Sequence, residues 1–178
     1  SEEGQQRAAV RAMHVHEKYA KGQTAHDIAL LHLKTPLVFS DTVQAAVLPA
    51  AGSIPTAGFF MVSGWGQVGE NKDGNVLQKT TLPVIPFNKC SAFFQQAGLT
   101  TPLVDTEICV GNLQVKGKST CHGDGGSPLS QWNVGLNAWT VAGVSAFATM
   151  PCGAQPTPSV YTRVSAYIDW IQSTMNKV

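Results

Sequence analysis

The chain consists largely of short apolar segments separated by turn-forming residues, and this pattern restricts the folds available to it. The segments are five to ten residues long, partly β-branched or aromatic, and bounded by Gly, Pro, Asn or Asp. Such segments are typical of strands in an all-β barrel or sandwich rather than of helices. The clearest are DIALLHL (27–33), FFMVSGW (59–65), TTLPVIPF (80–87), EICVG (107–111) and AWTVAGVSAF (138–147).

A single stretch near the C-terminus, SAYIDWIQSTMNKV, has a helical period instead. Four of its apolar residues are spaced for one helical face: Tyr167, Ile168, Ile171 and Met175. The pattern predicts a helix over about 166–176, with Ser165 as its N-cap, packed against the barrel.

The charge balance of the chain limits its partners. It carries 12 Lys and Arg against 11 Asp and Glu, for a formal net charge of +1. This balance gives no basis for binding nucleic acid or an anionic membrane, and no apolar run approaches the roughly 18 residues of a transmembrane helix. The length of 178 residues suffices for one substantial core or two smaller ones that share an interface. We predict no cofactor, no nucleic-acid partner and no membrane partner.

His14 and His16, in MHVH, are the candidate metal ligands. Alternate residues of a strand project from the same face, so the two rings could approach one ion. Two histidines without a third ligand are weak evidence for a metal site. We therefore predict a solvated strand face and no metal site.

Five segments together resemble a known family. They follow one another in the order and spacing of chymotrypsin-like (trypsin-family) serine proteases: HDIALLHL (26–33), VLPAAG (47–52), VSGWGQ (62–67), CHGDGGSPL (121–129) and PSVYTRVSAYIDWI (158–171). The resemblance covers the whole chain. It implies a double six-stranded antiparallel β-barrel, with the first barrel incomplete in this chain, and a C-terminal α-helix. The implied domains are the remainder of the first barrel, the second barrel and the C-terminal helix, at 1–47, 48–165 and 166–178.

The four cysteines are Cys90, Cys109, Cys121 and Cys152. None forms a C-x-x-C pair, which argues against a zinc site or a redox motif. The even count predicts two disulfides and an oxidising, extracellular location. Three pairings are possible from the sequence. We take neighbours as paired, Cys90 with Cys109 and Cys121 with Cys152, and the resemblance supports this choice.

The resemblance also assigns roles to individual residues. Asp27 matches the triad aspartate, which orients the catalytic histidine and stabilises its charged form. The backbone N–H groups of Gly123 and Gly125 match the oxyanion hole. Asp124 matches the aspartate that pairs with the N-terminal ammonium after activation cleavage. Such a pairing is expected because a buried carboxylate needs a partner.

In the family, the catalytic histidine and the free N-terminus precede the position of Ser1. The resemblance therefore implies either an N-terminal companion chain or first strands that lie outside this sequence. Val47 stands where some relatives have a cysteine that tethers the N-terminal peptide, so we expect the companion to be held non-covalently.

Gly125 occupies the position of the nucleophilic serine. The family has Ser–Gly–Gly where this chain has Gly125, Gly126 and Ser127. Loss of the serine alone removes about 10⁶ of the rate in this class of enzyme. Ser127 is displaced by two residues, and a misplacement of about 1 Å already costs about 100-fold. We expect no nucleophilic attack from this loop.

Further departures affect neighbouring positions. Ala146 replaces the serine that supports the triad aspartate, and Phe147 replaces a tryptophan. The resemblance places Ser119 at the base of the specificity pocket, Ala148 on its wall and Ser159 at its back. Ser119 cannot pair with Lys or Arg, so the pocket is expected to favour a small or medium apolar side chain.

These observations lead to a first interpretation: a secreted serine-protease homologue that lacks its nucleophile and acts by binding protein partners or peptides. A second is the C-terminal chain of an active two-chain endopeptidase, with Ser–Gly–Gly as the true order at 125–127. A third is a structural or storage protein that retains only the scaffold.

Overall fold

Eight strands and two α-helices form the regular structure of the described residues, which are 4–69, 72, 74–98 and 102–177 of a computed structural model. The strands are β1 (Val10–Val15), β2 (Ala29–Leu33), β3 (Phe59–Gly64), β4 (Gln78–Ile85), β5 (Glu107–Val110), β6 (Pro128–Asn133), β7 (Ala138–Ala148) and β8 (Ser159–Arg163). The helices are α1 (Phe87–Gln96) and α2 (Ile168–Met175), with a 3₁₀ turn at Val164–Ala166.

Six of the strands close into a barrel in the order β3-β4-β5-β8-β7-β6, and every neighbouring pair is antiparallel. β1 and β2 form a separate two-stranded antiparallel sheet. The all-β class, the six-stranded barrel and the C-terminal helix are thereby confirmed, and the fold is consistent with the chymotrypsin-like architecture. The domain boundaries at 47/48 and 165/166 stay predictions.

The barrel interior follows from the two-residue period of its strands. In β3, Phe59 is exposed whereas Phe60 and Val62 are buried, because successive side chains of a strand point to opposite faces. The same alternation from the other strands fills the centre. The cluster comprises Phe60, Val62, Leu82, Ile108, Val110, Leu129, Ala142 and Tyr161.

Both predicted disulfides are present, Cys90–Cys109 and Cys121–Cys152. The first joins α1 to β5. α1 is a helix that the sequence analysis did not predict. It begins after Pro86 and buries Cys90 and Phe94, which lie four residues apart on one helical face.

The predicted C-terminal helix is present as α2, two residues later than expected. Ser165 does not cap it: its hydroxyl accepts a hydrogen bond from the Arg163 guanidinium (2.7 Å) and donates one to the Ser53 carbonyl. Three of the four predicted face residues are buried, whereas Met175 is exposed. The buried face packs on Ile28, which precedes β2.

His16 is buried rather than solvated, so this prediction was wrong. It lies just past the end of β1, and its ring stacks on that of His26 with centroids 4.8 Å apart. Tyr167 and Trp170 cover the pair from the C-terminal segment. Burial lowers the pKa of His16. The described residues hold no group of three metal-ligating side chains and no helix with the length and apolarity to cross a bilayer.

Leu129 provides a test of the barrel core. Its side chain is fully buried in the central cluster, so Leu129→Ala should lower the free energy of unfolding by about 2–5 kcal/mol in urea titrations with the disulfides intact. Leu136→Ala, on the exposed β6–β7 turn, should change it by about 0.5 kcal/mol at most. Equal effects of the two substitutions would contradict the packing described.

Candidate functional site

The CHGDGGSPL segment forms a tight loop before β6, held by its own backbone. The Asp124 N–H donates to the Cys121 carbonyl (3.0 Å), and the Ser127 N–H donates to the Asp124 carbonyl (2.9 Å). The Gly126 N–H donates to the carbonyl of Ser145 on β7 (2.9 Å). Gly126 has a φ of +83°, and Gly123 one of +93°, a region that glycine alone enters without strain.

The N–H groups of Gly123 and Gly125 alternate with these bonded groups and make no hydrogen bond to any described residue. Both glycines are exposed. They are the two donors that the sequence assigned to the oxyanion hole. The loop thus presents two unengaged backbone donors at its surface.

Gly125 lacks a side chain although the structure has room for one. Apart from its two chain neighbours, a Cβ built at this position meets no described residue within 4 Å, and the backbone φ lies outside the left-handed region. Ser127, in contrast, has its hydroxyl oxygen buried without a hydrogen-bond partner among the described residues. A nucleophile would therefore fit at 125, whereas the serine of this loop does not expose its hydroxyl.

The carboxylate of Asp124 anchors the loop to the VSGWGQ segment. One oxygen accepts the Gly66 N–H (2.8 Å), and the other accepts the Cys121 N–H (2.8 Å). A Cβ at Gly64 would lie 1.9 Å from the carboxylate, and one at Gly66 would lie 2.5 Å from it. Glycine at 64 and 66 is thus required for this contact.

A cavity of about 720 Å³ lies beside Asp124. Its lining includes Ser119, the residue expected at the base of the specificity pocket, and the charged side chains of Lys79 and Lys118. The Cys121–Cys152 disulfide joins two of its walls, because both cysteines line it.

Ala148 and Ser159, the other predicted pocket residues, do not line this cavity. They face each other across β7 and β8. Ser159 is fully buried, and its hydroxyl oxygen accepts the N–H of Thr120 (3.0 Å), the neighbour of Ser119. Ser119, Ala148 and Ser159 are thus connected through neighbouring residues. Ser159 lies behind the cavity wall and supports it through its bond to Thr120.

Asp27 lies half-buried before β2, and its carbonyl accepts a hydrogen bond from the Thr162 hydroxyl (2.8 Å). Burial raises the pKa of its carboxyl. Glu107, which sequence reasoning missed, is buried nearby at the start of β5. Burial raises the pKa of Glu107 most, the charge of Asp27 adds to the increase, and hydrogen bonds, chiefly from the Val104 N–H (2.8 Å), offset part of it. The available sequence signal for Glu107 was a glutamate at the first position of a buried strand.

β7 leaves part of its backbone edge open next to the loop. Its pairing with β6 ends at Val144 opposite Pro128, whereas its pairing with β8 continues to Ala148. The Ser145 N–H donates to the Ser127 carbonyl (2.8 Å), which fixes the loop at the end of the paired region. Within the described chain, residues 146–148 therefore have no strand on this side.

Comparison with known proteins places these features in context. The family described as Trypsin matches residues 1–171. A fibrinolytic enzyme, isozyme C, of Lumbricus rubellus is 38% identical over 177 residues, covering 94% of this chain and 70% of the relative. Chymotrypsin-C of Bos taurus is 36% identical over 177 residues, covering 98% and 64%, respectively. The CLIP domain-containing serine protease B4 of Anopheles gambiae is 34% identical over 167 residues, covering 90% and 45%. The chain thus spans less than two thirds of the latter two.

Glu107 should make stability depend on pH. A carboxyl with a raised pKa binds its proton more tightly in the folded state, so its contribution is full below its unfolded pKa and is lost as pH rises. From about pH 4 to pH 7, the free energy of unfolding should fall more steeply in the unmodified chain than in Glu107→Gln.

Glu17→Gln is the control, because the pKa of Glu17 is shifted in the opposite direction to that of Glu107. A backbone hydrogen bond within Glu17 lowers the pKa of its carboxyl, so its contribution is present above the unfolded pKa and lost as pH falls. Parallel pH profiles for the unmodified chain and Glu107→Gln would contradict the burial of a titrating carboxyl at 107.

Proposed function

Because the chain belongs to the trypsin family of serine proteases, we propose that it is a secreted, non-catalytic member which binds peptides or protein partners without cleaving them. The observation that carries the proposal is the loop at 121–127. It keeps N–H groups at Gly123 and Gly125 that make no hydrogen bond to a described residue, but it has no side chain at 125 and a buried hydroxyl at Ser127. Recognition groups are retained while the attacking group is absent.

Two features support binding of an extended peptide. The open edge at 146–148 offers main-chain hydrogen bonds to an added strand, the basis of β-augmentation. The hydrogen bonds between Ser145 and the 121–127 loop place that edge next to the free donors. The two disulfides support secretion, because such bonds persist in oxidising compartments.

We also propose a non-covalent N-terminal companion segment. On the β1–β2 sheet, Met13 is 66% exposed and Leu31 is 58% exposed, and the two are directly paired. An exposed apolar sheet face of this kind favours a covering partner. The terminal ammonium of that partner is proposed to approach Asp124. Gel filtration of the protein from its source should release a smaller chain in denaturant without reductant, and a single species there would oppose the proposal.

The second candidate is the C-terminal chain of an active two-chain endopeptidase. Asp27, at the triad position, favours this candidate. The relatives also favour it, because their names are those of enzymes. This candidate requires Ser–Gly–Gly at 125–127. The fragment masses of a peptide spanning 119–131 distinguish the two orders directly.

Labelling with a fluorophosphonate tests the absence of a nucleophile. The protein with its companion segment should not be labelled, since no accessible serine hydroxyl lies in the loop. Ser127→Ala should behave identically. Gly125→Ser, for which the structure has space, should acquire labelling at residue 125. Labelling of the unmodified protein that Ser127→Ala abolishes would overturn the proposal.

A further inference from the structure

We propose that the 121–127 loop captures the free C-terminal carboxylate of a peptide, so that the protein recognises chains already cleaved by another protease. The inference rests on the proposed peptide-binding function and names its ligand class. It depends on three features of the described residues: two free donors, open space at 125 and an adjacent main-chain edge.

The two donors select an anion or a carbonyl oxygen. The N–H groups of Gly123 and Gly125 are unengaged, whereas those of Asp124, Gly126 and Ser127 are bonded within the fold. Backbone N–H groups in a glycine-rich turn can form nests that bind anions. Hydrogen bonds to a charged acceptor are roughly twice as strong as neutral ones, so a carboxylate is favoured over a peptide carbonyl.

The missing side chain at Gly125 makes room for the second oxygen. A carboxylate carries two oxygens, of which one can accept the two N–H groups. Apart from the adjacent residues 124 and 126, no described residue comes within 4 Å of the position a Cβ would occupy at 125, so the other oxygen has space where a serine would place its hydroxyl. The substitution that removes the nucleophile is therefore the one that accommodates a carboxylate.

The local charges permit an anion. From residue 125 to residue 162 the chain has no Asp, Glu, Lys, Arg or His. The nearby Asp124 carboxylate accepts N–H groups from Gly66 and Cys121. Lys79 and Lys118 line the same cavity as Asp124 and outnumber it.

The open edge of β7 favours a peptide over a small carboxylate. An extended chain paired along 146–148 ends beside Ser145, which is hydrogen-bonded to the loop at Gly126 and Ser127. A peptide whose C-terminus reaches the loop along this edge presents its carboxylate to the two donors.

The test compares matched peptides. Fluorescein-labelled tetrapeptides ending in Ala, Val, Leu or Phe are prepared as free acids, as C-terminal amides and with two further residues. They are titrated with the protein and its companion segment at neutral pH. The best acid should bind at least about tenfold more tightly than its amide in fluorescence anisotropy. In ¹⁵N spectra the acid should move the amide resonances of Gly123 and Gly125 downfield, and acetate at equal concentration should not.

Two substitutions locate the effect. Gly125→Val fills the open space and should bring acid and amide affinities to within about twofold. Gly135→Val makes the same change at an exposed glycine of ordinary φ on the β6–β7 turn, and should preserve the preference.

The outcomes distinguish failure of the carboxylate inference from failure of the proposed function. Equal binding of intact acids and amides overturns the carboxylate inference and leaves the peptide-binding function standing. Cleavage of the extended peptides overturns the non-catalytic function and the inference with it. No binding of any probe up to about 1 mM overturns both. An acid preference that survives Gly125→Val, or an equal response to acetate, overturns the assignment to this loop or to peptides.

Discussion

The hydrogen bonds of one carboxylate determine the shape of the candidate site. Asp124 accepts the N–H of Gly66 from one loop and that of Cys121 from its own. Each such bond to a charged acceptor contributes about 1.5–3 kcal/mol, and together they fix the turn on the end of β3. Gly123 and Gly125 lie on either side of this anchored residue; both are exposed, and their N–H groups make no hydrogen bond to a described residue. The anchoring contact thus holds the segment that carries the two free donors.

The division between main chain and side chain bears on the proposed loss of catalysis. The attacking group of these enzymes is a side-chain oxygen, which one substitution removes. The groups that hold a polypeptide are backbone donors and a strand edge, which persist as long as the fold does. The loop bonds of Asp124, Gly126 and Ser127 involve only backbone or the Asp124 side chain, so a glycine at 125 is compatible with all of them.

Sequence reasoning predicted the parts of the fold that depend on a local pattern of residues. The short apolar segment FFMVSGW, bounded by turn residues, predicts the strand found as β3, and the helical spacing before the C-terminus locates α2. α1 was missed because only Cys90 and Phe94 of its ten residues are buried, too few to show a period. His16 and Ser165 were misjudged because their partners, His26 and Arg163, are chosen by tertiary packing.

The candidate site divides in the same way. The missing nucleophile at 125 can be predicted from the sequence alone, since glycine has no oxygen to contribute. The freedom of two N–H groups cannot, because it depends on which neighbouring donors the fold engages. The cavity beside that loop also depends on a covalent link, since Cys121–Cys152 closes a span of 31 residues between two of its walls. Reduction of this bond by a strong thiol reductant would remove the covalent link between those walls, so the shape of the cavity is tied to the redox state of the surrounding fluid.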